Sequence, residues 1–225
     1  RTDRGSFIDR FRDRVIFPIT DRVGEVVAFA GRLIENRENA PKYINSAETP
    51  IFRKNQLLYG LSDAREGIRE TGSAILLEGY MDWIAMHRHG LKNALAGMGT
   101  ALTEEQARLL RRLTGKVVLL YDADTAGQKA MYRATEILLR QGLEVHAAVL
   151  SEGEDPDSFL ARQGTQAMRD ILSQPPPALD HFIQQSARDF DLTRPEGKAR
   201  AVDWLAPLLL AIEEPALREG YLVRA

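Results

Sequence analysis

The chain has 225 residues, 44% hydrophobic and 28% charged, with a formal net charge of −2 and no cysteine. That length buries a substantial core without staples, and the composition is that of an ordinary folded protein. The missing cysteines exclude disulfides and thiolate zinc sites, the absence of any run of about 18 apolar residues excludes a membrane-spanning helix, and the slight acidity argues against a generic polyanion binder.

The distribution of charge says more than its total. Residues 1–60 hold eleven Lys and Arg against eight Asp and Glu, whereas residues 152–157 carry four acids and no base. A basic flank beside an acidic centre is expected of a metal-assisted enzyme acting on nucleic acid. The chain opens on Arg1 with no signal-like segment. It is therefore expected to be a piece of a longer, cytoplasmic protein.

In the first dozen residues charges alternate with apolar groups, and an extended conformation puts Arg10, Arg12 and Arg14 on one side. Residues 15–19 and 25–29, joined by a turn over 21–24, predict a hairpin with Arg32 just beyond it. Residues 36–41 read as polar loop. After it come Lys42, Tyr43, Asn45 and, past a second loop, Lys54. Cations, an aromatic ring and an amide suit phosphate contacts with base or sugar contacts; a solvated surface with one half-buried Tyr is the competing reading.

A short helix over 62–70 leads into a strand at 74–77 that ends in Glu78-Gly79. Residues 81–89 read as helix, with Asp82 one turn past Glu78, either reaching the same edge or acting as a first-turn acid. His87 and His89, two apart, do not face each other as a zinc pair. Residues 93–96 form a strand, and Gly97-Met98-Gly99-Thr100 reads as a tight turn, since no Walker lysine follows. Thr103 and Gln106 make a capping box for the next helix.

The strand at 116–121 runs into Asp122-Ala123-Asp124-Thr125-Ala126-Gly127, where alternate aspartates point to one side and Gly127 permits close approach of the following helix. That helix runs to about 140. A strand over 143–150 then ends in Glu152, Glu154, Asp155 and Asp157, with Pro156 fixing the backbone between the last two. Asp155 and Asp157 are a second metal station, a helix start, or both. Pro175-Pro176-Pro177 marks a boundary, followed by helices over 178–190, over 196–212 behind a capping box of Thr193 and Glu196, and from about 214. Their apolar faces read as packing.

Continuous apolar runs of this kind suit strands buried on both faces of a parallel sheet, whose ligands sit at the carboxyl ends. Glu78, Asp122 and Asp124 then project from one edge. Carboxylates converging there repel by about 4 kcal/mol per pair at 4 Å and an effective dielectric near 20. Protons or a divalent cation must hold them, and an oxygen-only donor set points to Mg²⁺ or Mn²⁺. The expected chemistry is metal-dependent phosphoryl transfer.

Leu77-Glu78-Gly79-Tyr80-Met81-Asp82, Gly99-Thr100-Ala101-Leu102-Thr103, Asp122 to Gly127 and Gly153-Glu154-Asp155-Pro156-Asp157 resemble, in order, the Toprim motifs of the bacterial-type DNA primases. Phe17-Pro18-Ile19, Gly31-Arg32 and Pro41 to Ser46 with Glu48-Thr49 resemble the basic subdomain that precedes them. The resemblance covers roughly residues 6–165, with the tail similar in kind only. It implies a mixed α/β core: part of a basic β-rich subdomain (1–70), a Toprim parallel sheet flanked by helices (71–174) and a truncated helical subdomain (175–225).

The implied activity is a DNA-directed RNA polymerase that makes short RNA primers on single-stranded DNA for replication, by two-metal transfer from ribonucleoside triphosphates. By the same resemblance Glu78, Asp122 and Asp124 hold Mg²⁺ or Mn²⁺, and Asp82, Asp155 and Asp157 complete the acidic site. Arg10, Arg32, Lys42, Tyr43, Asn45 and Lys54 meet the triphosphate and nucleic acid. Ala28, Ala30 and Ala123 stand where such primases usually have glycine.

The zinc-binding module and the helicase-contacting module of such primases are expected outside this chain, so this piece carries no zinc, reaches the replicative helicase only through an absent module, and is monomeric. Rival readings are a Toprim nuclease or topoisomerase, for which Tyr80 and Tyr121 are poorly placed nucleophiles, and a haloacid-dehalogenase-type phosphatase built on Asp122-Ala123-Asp124-Thr125. The phosphatase reading leaves Glu78 and the basic region unexplained.

Overall fold

The computed structural model describes residues 9–35 and 37–224; Asn36 of the predicted polar loop and residues 1–8 of the alternating segment lie outside them. The chain divides into two compact units, Arg1–Arg53 and Lys54–Ala225.

In the first unit β1 (Arg14–Thr20), β2 (Val26–Leu33) and β3 (Tyr43–Asn45) form an antiparallel sheet in that order. Phe17 and Ile19, two apart on β1, and Ala28 and Ala30 on β2 are buried, as the period of a strand requires. The hairpin closes on Asp21, whose carboxylate accepts from the Val23 and Glu25 N–H groups. The extended run expected over residues 10–14 is instead a turn, because Asp13 takes a left-handed φ of 54° and β1 starts only at Arg14. Arg14 therefore leaves the row with Arg10 and Arg12. Its guanidinium donates to the carbonyls of Gly31, Pro41 and Lys42, tying β2 to the loop before β3.

The second unit opens with a 3₁₀ turn, Lys54–Gln56, and α1 (Leu61–Thr71). There follow β4 (Ser73–Leu77), α2 (Tyr80–Arg88), β5 (Ala94–Ala96), α3 (Glu104–Arg111) and β6 (Lys116–Leu119). α4 (Thr125–Arg140), β7 (Glu144–Ala147), α5 (Pro156–Ser173), α6 (Ala178–Asp189), α7 (Pro195–Leu210) and α8 (Pro215–Arg224) complete it. The four strands pair parallel in the order β5-β4-β6-β7. Every residue of β5 is buried, as are all but the first of β4, β6 and β7, as strands covered on both faces demand.

The core joins Leu76 and Leu119 of the sheet to Leu110 of α3, Leu138 of α4, Phe182 of α6 and Leu208 of α7. At roughly 2 kcal/mol for each such buried side chain, this single cluster holds the helical tail to the sheet. The Pro175–Pro177 run is part of that attachment. Pro176 accepts from Ala147 N–H, Pro177 bridges to His146, and the His146 ring lies 2.6 Å from the Pro175 carbonyl oxygen. β7 ends at Ala147, three residues before the predicted limit.

The capping box of Thr103 and Gln106 forms as expected, and the buried Gln106 amide also donates to the Lys54 and Leu57 carbonyls. The one predicted at Thr193 does not. Asp191 accepts both the Thr193 hydroxyl and its N–H, so Arg194 becomes the helix-capping residue and Pro195 the first helical position.

Candidate active site

The site is built where β4 and β6 stop. Leu76 lies opposite Leu119 in register, and the ladder extends one bond further, from Leu120 N–H to the Leu76 carbonyl. Both chains then leave the sheet on the same edge. The Asp122 N–H donates to Glu78 Oε1 at 3.2 Å, so the two motifs are joined through main chain.

Gly127 is required by this closeness. A Cβ there would lie 2.1 Å from the Asp122 carbonyl oxygen and 2.8 Å from Glu78 Oε1. The expected close approach of α4 is thus an approach to two of the acids. Asp124 caps α4, its carboxylate accepting from Gly127 N–H at 2.7 Å. Asp155 likewise caps α5 in a reciprocal box with Ser158, and Asp157 is the first-turn acid. Ala123 links the two stations: its N–H donates to the Glu154 carbonyl and its carbonyl accepts from Gly153 N–H.

Electrostatics shows which acids share one environment. Burial, then the charge of Asp122 and, more weakly, Asp124 push Glu78 up to about 7. Burial, then the charges of Asp122, Asp155 and Asp157 push Asp82 up to about 7, with a hydrogen bond from Gly79 N–H working the other way. Asp82 is 8% exposed. The structure thus brings all six predicted acids into one interacting set. Glu154 pairs with Arg162.

A crowded set of carboxylates in which Glu78 and Asp82 favour the protonated form fits a hard divalent cation, which would replace those protons and relieve the repulsion. Among the described residues no three acidic, His or Cys side chains stand in a ready-made metal cage. His87 stacks on Trp83 and His89 bonds Thr165, so neither joins a zinc pair. Tyr121 is buried, and burial followed by the Glu78 charge raises its hydroxyl above the ordinary tyrosine range. Tyr80 is buried as well, which leaves neither ring accessible as a nucleophile.

The predicted basic residues divide between the units. In the first, the Arg10 guanidinium donates twice to the Asn45 carbonyl, at 3.0 and 2.9 Å. Arg32 lies opposite Tyr43 in the β2–β3 register, with its Nε buried and without a hydrogen bond among the described residues. Lys42 reaches over the Tyr43 ring at 5.9 Å. Lys54 belongs to the second unit, in the 3₁₀ turn.

Two cations escaped the sequence reading. Lys129 and Arg133, one turn apart on α4, line both a cavity of about 370 Å³ that contains Glu78 and an adjoining one of about 530 Å³ that contains Asp124. Their i, i+4 spacing was the signal available, but it names a helix face and not what that face borders.

Three family models match in chain order: the DNA primase catalytic core N-terminal domain over residues 1–65, a Toprim-like domain over 75–160, and the DnaB-helicase binding domain of primase over 179–225. The DNA primase of Pseudomonas aeruginosa is 43% identical over 96% of this chain and 33% of its own length. A crystal structure of a DNA primase domain from the same organism is 42% identical, with a TM-score of 0.89 over 100% of this chain and 70% of that one. This chain belongs to the DnaG-type DNA primases. A DnaG primase catalytic domain bound to single-stranded DNA superposes with a TM-score of 0.86 at 36% identity, over 99% of this chain and 72% of that one.

The chain spans about a third of the length of the P. aeruginosa primase that it matches. The sequence reading placed the helicase-contacting module outside this chain, whereas residues 179–225 match a model described as the DnaB-helicase binding domain of primase. Amphipathic helices without a polar constellation read from sequence as packing, so the match to that model was not legible there. The phosphatase and topoisomerase readings find no support beside these matches.

Proposed function

We propose that this chain is a catalytic core fragment of a primase, a nucleotidyltransferase that copies single-stranded DNA into short RNA primers from ribonucleoside triphosphates. The observation that carries the reading is the shared acidic edge, with Glu78 and Asp82 both pushed up to about 7 by burial and neighbouring carboxylates. With Asp82 buried and Glu78 partly so, the crowding of these acids carries a cost that a bound cation or proton offsets.

Glu78, Asp122 and Asp124 are the residues that would hold Mg²⁺ or Mn²⁺. When bound, the cation supplies charge neutralisation for a triphosphate and lowers the pKa of a coordinated hydroxyl. The chain's own groups do the remaining work. The Asp122 N–H and Gly127 N–H hold the Glu78 and Asp124 carboxylates in fixed orientation, so no reorganisation is needed as charge develops. Asp82, Asp155 and Asp157 set the proton affinity of the edge. Arg10, Arg32, Lys42, Tyr43, Asn45 and Lys54 bind the triphosphate and nucleic acid, with phosphates drawn to the cations and a base or sugar to Tyr43 and Asn45.

In this reading the division of labour is a basic portion (1–70), a catalytic Toprim portion (71–174) and a helical portion (175–225) that contacts the replicative helicase. The fragment acts as a monomer on a DNA template and RNA primer.

The test is incorporation of labelled ribonucleotides on single-stranded DNA with Mg²⁺ or Mn²⁺, beside Glu78→Gln and with a phosphatase substrate as control. Template-dependent products lost in the variant are expected. Phosphate release from the control without any products would overturn the reading in favour of a phosphatase.

A further inference from the structure

The cavity of about 530 Å³ lies beyond the acidic edge, lined by residues of α4, α6 and α7. Its inner wall is aromatic: Tyr132, Phe182 and Trp204 form one cluster, with ring centroids 5.0 to 5.9 Å apart. The Tyr132 hydroxyl donates to the Trp204 carbonyl, which fixes the two rings against each other. Gln185 also lines it, and its side-chain carbonyl oxygen is buried without a hydrogen-bond partner among the described residues. A buried acceptor left unsatisfied is costly, and a donor that enters from outside removes the cost.

Charge sorts what can occupy the cavity. Asp124, Glu152 and Asp189 line it and disfavour a phosphate inside. Lys129 and Arg133 are exposed where this cavity meets the one that contains Glu78, and neither makes a hydrogen bond or ion pair among the described residues. They stand about 6 Å apart along the helix axis, at 1.5 Å rise per residue. An aromatic recess with an unsatisfied acceptor, beside two free cations, matches a base that leaves its strand to stack while its flanking phosphates stay outside.

We propose that this cavity receives one nucleobase of a single-stranded nucleic acid, stacked on the Tyr132–Phe182–Trp204 cluster and donating to Gln185, with Lys129 and Arg133 holding the adjacent phosphates. The inference rests on the primase reading for the presence of a strand, and adds a strand-binding station on the helical side of the acidic edge.

The protein has two tryptophans, Trp83 and Trp204, and Trp83 stacks on His87 away from the cavity. In a Trp83→Phe background the emission therefore reports on Trp204 alone. A labelled single-stranded oligonucleotide gives affinity independently by anisotropy. The expected result is saturable quenching of Trp204 with the same midpoint as the anisotropy curve. Lys129→Ala/Arg133→Ala weakens binding about tenfold and makes the salt slope shallower by about one to two.

Anisotropy that rises while Trp204 stays unchanged, or full affinity and salt slope in the double variant, overturns the proposal and leaves the primase reading standing. Equal quenching by AMP at the same concentration reassigns the cavity to a free nucleotide and also overturns it. Binding by neither readout removes the strand altogether, and both readings fall. As a control for folding of the Trp83 variant, Trp204→Phe in otherwise native protein abolishes the quench; a quench that survives there places the strand elsewhere.

Discussion

Glu78 and Asp82 are held above the ordinary carboxylate range by burial first and by shared acidic neighbours second. Between about pH 4 and pH 7 the folded chain keeps protons that the unfolded chain has lost, so metal-free stability falls as pH rises through that window. Asp82→Asn removes the buried charge. It should raise the metal-free melting temperature at pH 8 by roughly 5–10 °C, from about 2–4 kcal/mol, with little gain near pH 4. Thermal melts in EDTA at the two pH values check this, and a gain equal at both would refute it. Gly127→Ala is the opposite case. Its methyl meets the Asp122 carbonyl and Glu78 at once, so it should cost about 2 kcal/mol or more and weaken Mg²⁺-induced stabilisation. That Asp82 could reach the acidic edge was legible in the sequence as one of two readings, beside a plain first-turn acid of α2, and the structure puts it among Asp122, Asp155 and Asp157. The Asp155 and Asp157 charges that raise it were not legible, since they come from the start of α5, which packs on α2 from far along the chain.

Each acid of the site that begins a helix serves that helix too. Asp124 caps α4 and Asp155 caps α5, so loss of function on replacement mixes two effects. Asp124→Asn keeps a capping oxygen and drops the charge, whereas Asp124→Ala loses both. Both should abolish nucleotide incorporation, but only the alanine variant should lose about 1 kcal/mol of stability. Urea melts beside incorporation assays separate the two; equal destabilisation would mean that the cap contributes nothing. Elements with long uniform signals were legible: the apolar runs of β4 and β6 and the periodic helices α3 and α4 fall within a few residues of expectation. Elements decided by one distant or local bond were not. β3 is three residues held by pairing with β2, the turn at Asp13 replaced an expected strand, and Asp191 diverted Thr193 from its cap.

At the scale of the whole chain, the proposed nucleotide-binding cations and the acidic edge belong largely to different compact units. Lys42→Ala should therefore weaken triphosphate binding about three- to tenfold, by loss of a charged phosphate contact, while Mg²⁺-induced stabilisation of the acidic unit is unchanged. Nucleotide titration and Mg²⁺-dependent melts, run on the same variant, read the two separately; a parallel loss of both would show the units to be energetically inseparable. Within the acidic unit, the parallel register of β4 with β6 acts as a ruler. Leu76 opposite Leu119 sets where each chain leaves the sheet, and the Asp122 N–H then meets Glu78. One residue inserted into β4 would advance Glu78 by about 3.3 Å and turn its side chain to the other face. A change of composition within the strand, such as Leu for Ile, would do neither. Evolution of this edge is thus free in what fills the strands and nearly frozen in how long they are, and insertions in β4 or β6 should be the rarest event in the history of this sheet.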